Sequence, residues 1–459
     1  MSEAPSQEES MHATIHRTSV PLLLGLLLVS TSPVITLPHA SFADDRTMSE
    51  KLTDDTARSG EEEGVFMSET LPLDAVLTYA QEHNPTIRAA RARVLAAQER
   101  PAQVSALDDP MFTYEGFNIP ENFDLTRTDN NILKLSQKLP FPGKRRLRGE
   151  IATHEVAIAS KDVRRAEVMT RASVKQAYYD LWQVHQNLLV YAREKELAAQ
   201  FATIAEKKYA VGQASQPDVL RAQVELTRLI NRVTTQTLKL GEVRAMLNGL
   251  LSRSPEARLG VPHDAPKPVV RRTLAELTEL TLNNRPEIAA NAAAIARDTA
   301  TLALSRKAYF PDFEVYVERF FNGGRKDGVG VIVSATIPLA YRQKYDAGVA
   351  EATARLSASK ADLRAAQDTA LAEVKGALVR AQTAVEQVNL FAQTHILQAE
   401  QALESSRIGY QTGQVDFLAL TDSLRVVEQV HLEHITAATD FEKAYADLER
   451  AVGQALPRR

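Results

Sequence analysis

The chain has 459 residues, a formal net charge of −4 at pH 7 and no cysteine. A chain of this length holds about two or three ordinary domains, and its near-neutral charge gives no reason to expect a polyanionic partner such as nucleic acid. The absence of cysteine excludes disulfides, thiolate metal sites and a lipid-anchoring cysteine. Aromatic residues make up only 6% of the chain, and the Ala, Gln, Arg and Glu that dominate its middle are typical of long helices.

The N-terminal segment, residues 1–43, is predicted to be an export signal peptide. Arg17 precedes an apolar run at 20–29 that is short for a bilayer span, and a small-x-small cleavage motif ends at residue 43. A buried core helix or a membrane anchor is the alternative interpretation. The stretch before Arg17 is long and acidic, so the true start codon could be Met11. The acidic, polar segment 44–69 is expected to be disordered.

The first folded residues predict two helices. One runs from about Leu73 to His83 and ends at Asn84-Pro85, and a second runs from Thr86 towards Leu107. Pro101 is expected to bend the second helix, since proline removes one intrahelical hydrogen bond.

A two-residue alternation of apolar and polar side chains then predicts a β-hairpin at 110–140 and another at 311–338. The predicted strands are Met111–Ile119, Asn131–Leu139, Phe313–Phe321 and Val329–Ile337. Strands of this length suit a transmembrane β-barrel, but ordinary solvent-exposed hairpins fit the pattern equally well. Because membrane barrels must close and the smallest have about eight strands, one chain would be too small to close alone.

Very long helices follow each hairpin. They are predicted at Lys144–Val211 and Tyr341–Thr412, each on the order of 100 Å in length, with shorter returning helices at Gln216–Leu250 and Asp416–Val452. Between the first long helix and its partner, glycine can take the left-handed conformation that ends a helix, and serine can cap the next one. Each pair is therefore expected to form a helical hairpin with a tight tip.

The chain is predicted to be a tandem duplication. Tyr209 and Tyr410 lie 201 positions apart, and Gly212 and Gly413 keep the same spacing. The predicted organisation is a first repeat at 70–251, a proline-rich linker at 252–272, a second repeat at 273–453 and a tail at 454–459.

This order resembles the TolC family of outer-membrane efflux proteins across residues 71–453. The resemblance rests on the duplicated hairpin order, the Tyr-x-x-Gly motifs at the two tips, and the sequences Asp218-Val-Leu-x-Ala-Gln, Leu139-Pro140 and Ile337-Pro338. It implies a mainly helical chain with transmembrane β-structure, whose homotrimer forms a twelve-stranded outer-membrane β-barrel continued by a periplasmic α-barrel. It also implies docking to a periplasmic adaptor (membrane fusion) protein and an inner-membrane pump of RND type.

The family resemblance implies passive export rather than catalysis. The run at 136–145 looks like that of members serving heavy-metal efflux pumps, so metal cations are the expected cargo; a multidrug channel and a type I secretion channel are the alternatives. A periplasmic coiled-coil scaffold without transport is the alternative of another class. No cofactor is expected.

The family resemblance also implies where the functional residues lie. Adaptor docking is expected at the two tips, at Tyr209, Gly212, Ser215, Asp218, Leu220, Tyr410, Gly413 and Asp416. An aperture gate is expected at Tyr410, Asp416 and Asp422, and a ring of Asp422 carboxylates would favour cations. This chain departs from the family pattern at Val415, where an arginine can stand, and at Ala419, where an aspartate can stand. A gate therefore has fewer polar contacts available here.

Nothing in the sequence indicates a catalytic site. There is no phosphate-binding glycine loop and no nucleophile elbow. His431 and His434 lie on one face of a helix and could bind a metal, but surface packing is the preferred interpretation because no carboxylate is placed beside them. Trp182 and the neighbouring Tyr178-Tyr179 are likewise expected to pack between helices.

Overall fold

The computed structural model describes residues 66, 69–119, 121, 130–263, 265–322 and 326–457. The predicted signal peptide and nearly all of the predicted acidic segment lie outside these residues. Phe66 is an exception, because its ring is buried and Arg253 lies 4.2 Å from the ring centroid. The packed part of the chain therefore includes a residue earlier than the expected boundary at residue 70.

The first repeat starts with a short strand and three helices. Strand β1 (Thr70–Leu71) is followed by α1 (Leu73–His83), α2 (Pro85–Gln98) and α3 (Arg100–Ser105). The side chain of Asn84 caps α2 by accepting from the N–H of Thr86 at 2.9 Å, and Pro85 takes the first helical position, where its missing N–H costs nothing. The break expected at Pro101 falls at Glu99, between α2 and α3.

The remaining elements of the first repeat are a β-hairpin and a helical hairpin. They are β2 (Met111–Phe117), β3 (Asn130–Leu139), α4 (Lys144–Ala210) and α5 (Gln216–Leu250). Helix α4 is a single helix of 67 residues, about 100 Å long at 1.5 Å per residue.

The second repeat follows the same order after the linker. The linker is mostly irregular and contains β4 (Val261–Pro262), which pairs in parallel with β1. The repeat then comprises α6 (Leu274–Asn284), α7 (Pro286–Lys307), β5 (Phe313–Asn322), β6 (Gly328–Ala335), α8 (Ala347–Leu390), α9 (Ile396–Thr412) and α10 (Phe417–Val452).

The second long helix differs from its counterpart. A π-helical turn at Tyr341–Asp346 precedes α8, and a second π-helical turn at Phe391–His395 separates α8 from α9. The prediction of one helix over 341–412 is therefore correct in its start and end. It is wrong in expecting a regular α-helix throughout. Neither π-helical turn contains proline or glycine, so the sequence carried no signal for them.

One antiparallel sheet holds the four long strands in the order β2-β3-β5-β6. The pairing of β3 with β5 joins the two repeats, with Leu135 opposite Val317 and Lys134 opposite Glu318. The observed strands lie within one or two residues of the predicted ones at every end. Strands β2 and β6 are the edges of this sheet.

Three apolar clusters hold the helices together. One surrounds Tyr178, Leu181 and Trp182 in the middle of α4, which confirms that these aromatic side chains pack between elements. A second joins α6, α8 and the end of α10, and a third lies at the helical tips around Phe201 and Phe417. Within the part of the chain that the structure describes, none of the helices combines the length and apolar character needed to cross a bilayer.

Candidate functional site

The four-stranded sheet has one apolar face and one polar face. Phe112, Leu135, Val317 and Val331 lie side by side across the four strands. Their exposed fractions are 66%, 52%, 48% and 68%. A continuous exposed row of large apolar side chains is unfavourable in water and indicates a contact with lipid or with another apolar surface.

The opposite face carries charge. Lys134 Nζ lies 3.0 Å from Glu115 Oε1 and 4.0 Å from Glu318 Oε2. Tyr316 shares this face, and its hydroxyl donates to Glu314 at 2.6 Å. A sheet with one lipid-compatible face and one hydrated face has the alternation that a transmembrane barrel requires.

The first tip is the turn between α4 and α5. Gly212 adopts the left-handed conformation with φ of 75°. At the start of α5, the Asp218 carboxylate accepts from the N–H of Ser215 at 3.1 Å and from its hydroxyl at 2.7 Å. Tyr209 and Leu220 are 49% and 53% exposed. The first tip therefore presents apolar side chains on a turn whose backbone is fixed by local hydrogen bonds.

At the second tip, between α9 and α10, the tyrosine is buried by neighbouring residues. Tyr410 is only 5% exposed, and its ring lies edge-on to Phe417 with centroids 5.4 Å apart. Lys208 of the first hairpin donates to the carbonyl of Tyr410 and lies 4.6 Å from its ring centroid. Burial, with the charge of Asp218 nearby, raises the pKa of Tyr410. This tyrosine is a packing residue in the single chain.

The other residues expected at the second tip have separate local contacts. Gly413 takes the left-handed conformation with φ of 78°. Asp416 caps α10 by accepting from the N–H of Ala419 at 2.9 Å. Asp422 is exposed, and its carboxylate lies 3.9 Å from Arg425. Three residues are expected to form the gate: Tyr410, Asp416 and Asp422. Within one chain, each of them therefore has its own local contacts.

A charge network that the sequence analysis missed joins the two hairpins above the tips. Arg228 on α5 donates to Glu225 at 2.6 Å and also to Glu428 on α10. Arg425 on α10 donates to Glu225 at 2.8 Å. The side chains of Glu225 and Glu428 are only 3% and 8% exposed. The sequence did contain a signal for this network, because the charges of the two helices are complementary. At a similar distance past each tip, α5 carries Glu-x-x-Arg and α10 carries Arg-x-x-Glu.

A buried carboxyl lies next to this network. Glu194 on α4 is 1% exposed, and its Oε2 has no hydrogen-bond partner in the described part of the chain. Burial, reinforced by the negative charges of Glu428 and Glu400, raises the pKa of Glu194 to about 7. The side chain is thus poised to gain or lose its proton near neutral pH.

The two histidines of α10 lie in the same region. His431 Nε2 is 3.3 Å from Glu400 Oε1 without hydrogen-bond geometry. Burial and the proximity of His431 lower the pKa of His434. The described residues contain no group of three or more His, Asp or Glu side chains arranged to hold a metal ion.

Comparison with known proteins identifies the architecture. The sequence profile of the family described as "Outer membrane efflux protein" matches residues 76–240 and 277–454, which is well over half of the chain. The chain belongs to this family. The first matched segment contains α4 and most of α5, and the second contains α8, α9 and α10.

A curated relative and two solved structures extend the comparison. The cobalt-zinc-cadmium resistance protein CzcC of Cupriavidus metallidurans is 21% identical over 390 residues, covering 84% of this chain and 90% of the relative. The outer membrane protein VceC of Vibrio cholerae superposes with a TM-score of 0.71 at 19% identity, covering 83% of this chain and 96% of VceC. CusC gives a TM-score of 0.72 at 17% identity, covering 85% and 94%.

Family membership settles the general class of the protein. This outer-membrane efflux protein is a component of a passive channel and not an enzyme, and its helical part lies in the periplasm. The resemblance to the TolC family stated from the sequence is confirmed.

Proposed function

We propose that the chain forms a homotrimeric exit duct of a tripartite efflux system, through which heavy-metal cations leave the cell passively. The observation that carries this proposal is the four-stranded sheet with an exposed apolar face and two edge strands. An open sheet edge is not tolerated in lipid, since each unpaired backbone group there costs several kcal/mol. Three copies contribute twelve strands and close the barrel.

The tips supply the docking end of the duct. Tyr209 and Leu220 expose apolar surface at the first tip, on a backbone held by Gly212, Ser215 and Asp218. A rigid turn that presents apolar side chains suits contact with a periplasmic adaptor, because little entropy is lost on binding. An inner-membrane pump, of RND type by the resemblance, supplies the energy.

The second tip supplies the aperture. Asp422 is exposed, and three copies related by a threefold axis would place three such carboxylates around the passage. A ring of carboxylates favours cations over anions. Tyr410, Gly413 and Asp416 hold the turn that presents this helix.

The cargo is proposed from two agreeing indications. The run at 136–145 resembles metal-efflux members, and the relative CzcC is named for resistance to cobalt, zinc and cadmium. A multidrug or polypeptide-secreting channel is the alternative within the same class.

Trimer closure is tested by cross-linking the two edge strands. Met111 on β2 and Ile332 on β6 lie on the same face of the sheet and are 56% and 44% exposed. The chain has no cysteine, so Met111→Cys and Ile332→Cys introduce the only thiols. A flexible bis-maleimide should convert the double variant to covalent trimers in outer-membrane vesicles and leave both single variants monomeric on denaturing gels. A double variant that stays monomeric contradicts the closed trimer and favours a scaffold.

The cargo is tested by loss and restoration of export. Cells lacking this chain should accumulate cobalt, zinc or cadmium, and the wild-type chain should restore their export. An organic dye serves as the comparison substrate. If dye export is lost while metal export persists, the multidrug alternative replaces metal efflux.

A further inference from the structure

The junction between the strands and the helices carries a group of aromatic and basic side chains that the channel function does not use. Phe141 follows β3, and its ring stacks on Phe310 with centroids 4.5 Å apart. Lys307, at the end of α7, places its Nζ 5.4 Å and 5.8 Å from these two ring centroids. The ammonium group thus lies against two aromatic rings.

A second group of rings lies beside the first. Tyr309, Tyr341 and Tyr345 have ring centroids 5.7 to 6.3 Å apart. The Tyr309 hydroxyl donates to Asp346. Lys344 Nζ lies 5.4 Å from the Tyr345 ring centroid. Both lysines are therefore oriented by aromatic neighbours rather than by carboxylates.

Two carboxylates close to these lysines already have partners. The carboxylate of Asp312 is taken by Lys144, whose Nζ is 2.8 Å away, and that of Asp346 by the Tyr309 hydroxyl. No described carboxylate lies within 4 Å of the basic groups of four other side chains. These are Arg306, Lys307, Arg342 and Lys344.

The junction continues directly from the apolar face of the sheet. Ile337 and Leu339, which follow β6, are 71% and 80% exposed, and Phe310 and Tyr341 are 47% and 49% exposed. Aromatic side chains and lysines at the end of an apolar band mark the level of lipid headgroups. Since the helices are periplasmic, these headgroups belong to the periplasmic leaflet of the outer membrane.

We propose that Lys307 and Lys344, with Arg306 and Arg342, bind the phosphate of an anionic phospholipid at the periplasmic edge of the barrel. The aromatic rings hold the two lysine stems at the headgroup level, and the four cations have charge available for an anionic partner. This surface requires the outer-membrane location of the family, and it does not depend on the cargo or on the adaptor.

Lipid retention by the full mature chain tests the proposal. The protein is reconstituted in nanodiscs of phosphatidylethanolamine with a minor fraction of phosphatidylglycerol, then released, and its retained lipids are quantified by native mass spectrometry. Wild-type protein should retain phosphatidylglycerol in excess of its share of the disc. Lys307→Gln combined with Lys344→Gln should lower this enrichment by at least about fivefold. One basic side chain near an anionic surface contributes about 1 kcal/mol, which corresponds to about fivefold in binding.

Two controls separate charge at the junction from charge elsewhere. Lys161→Gln combined with Lys375→Gln removes two exposed lysines from α4 and α8, away from the junction, and should leave the enrichment unchanged. Lys307→Arg combined with Lys344→Arg should retain it. The wild-type enrichment should also fall when salt is raised from dilute buffer to about 0.5 M, because screening shortens the reach of these charges.

Three outcomes would overturn the proposal. They are equal retention by wild type and the junction double Gln variant, equal losses in both double Gln variants, or a wild-type enrichment that does not respond to salt. The salt measurement needs no variant, so it can still overturn the proposal if the junction variant fails to assemble. Metal export is measured in the same variants, so that a failure of efflux is seen separately from a failure of lipid binding.

Discussion

The two helical tips occupy equivalent positions in the two halves of the chain but have different environments. Tyr209 at the first tip is 49% exposed, whereas its counterpart Tyr410 at the second tip is 5% exposed. Both glycines that follow take the left-handed conformation, with φ of 75° and 78°. The turn geometry is therefore shared, and the packing around it is not.

The difference arises from what each tip packs against. Tyr410 contacts Phe417 and is covered by Lys208 from the first hairpin, so its side chain is shielded from solvent by a residue of the other tip. Space beside the second tip is also tight. A Cβ at Gly409, just before the second turn, would lie 2.5 Å from Cγ2 of Val415, while a Cβ at either turn glycine, Gly212 or Gly413, would meet nothing within 4 Å. The repeated motif thus gives the same turn at both tips. How far its tyrosine is buried depends on which residues lie beside that tip.

The largest expected effect comes from breaking the contact between the hairpins. Arg228→Met removes the charge that joins Glu225 to Glu428, whose side chains are 3% and 8% exposed. Leaving two buried carboxylates without this partner should cost about 3 kcal/mol of unfolding free energy. Thermal unfolding of the detergent-solubilised protein, followed by the fluorescence of Trp182, checks this.

A matched control separates burial from charge. Arg221→Met removes an arginine that is 55% exposed and 3.8 Å from Asp218, and surface pairs contribute only about 0–1 kcal/mol. Equal losses from both substitutions would show that the contact between the hairpins contributes no more than a surface ion pair.

The next effect is a pH dependence at the same contact. The pKa of Glu194 is raised to about 7 from its ordinary value of 4.5, so folding favours the protonated carboxyl. The folded state therefore loses stability as pH rises between these values. Glu194→Gln should be more stable than wild type by about 3 kcal/mol at pH 8 and by only about 1 kcal/mol at pH 5, since one pKa unit corresponds to about 1.4 kcal/mol.

The measurement is the difference in thermal unfolding between variant and wild type across this range. Glu433→Gln provides the control, since Glu433 is exposed on α10 and accepts from Gln429 at 2.8 Å. At pH 8 this substitution should change the unfolding temperature far less than Glu194→Gln does. A difference for Glu194→Gln that does not change with pH would mean that this carboxyl is ionised in the folded protein throughout.

A smaller effect tests the tight space at the second tip. Gly409→Ala should destabilise the protein by about 1–3 kcal/mol, because the new methyl group overlaps Val415. Adding Val415→Ala should recover most of this loss. Gly376→Ala is the matched helical control: its Cβ would lie 3.6 Å from Arg380, so the substitution should be neutral or stabilising by up to about 1 kcal/mol. Destabilisation by Gly376→Ala of the same size would point to a general intolerance of alanine rather than to crowding.

The sequence was sufficient for the elements whose periodicity is long and regular. Helix α4, the four long strands and the left-handed Gly212 were all predicted, because each depends on local pattern. The charge network and the burial of Tyr410 were not predicted, since they depend on the lateral pairing of α5 with α10 and of one tip with the other. The π-helical turn at Phe391–His395 had no signal, because no helix-breaking residue marks it.

The smallest expected effect concerns His431 and His434. Replacing both by Gln should change metal export by less than about twofold. His431 lies 3.3 Å from Glu400 without hydrogen-bond geometry. The described residues contain no group of three or more His, Asp or Glu side chains arranged to bind a metal ion. Cellular accumulation of cobalt, zinc or cadmium is the measurement, with Asp422→Asn as the comparison. Asp422 is exposed near the second tip, where a carboxylate ring would act on passing cations. Loss of export in the histidine variant with intact trimers would assign the imidazoles a direct role in passage, and the second hairpin would then carry a cation site as well as an aperture.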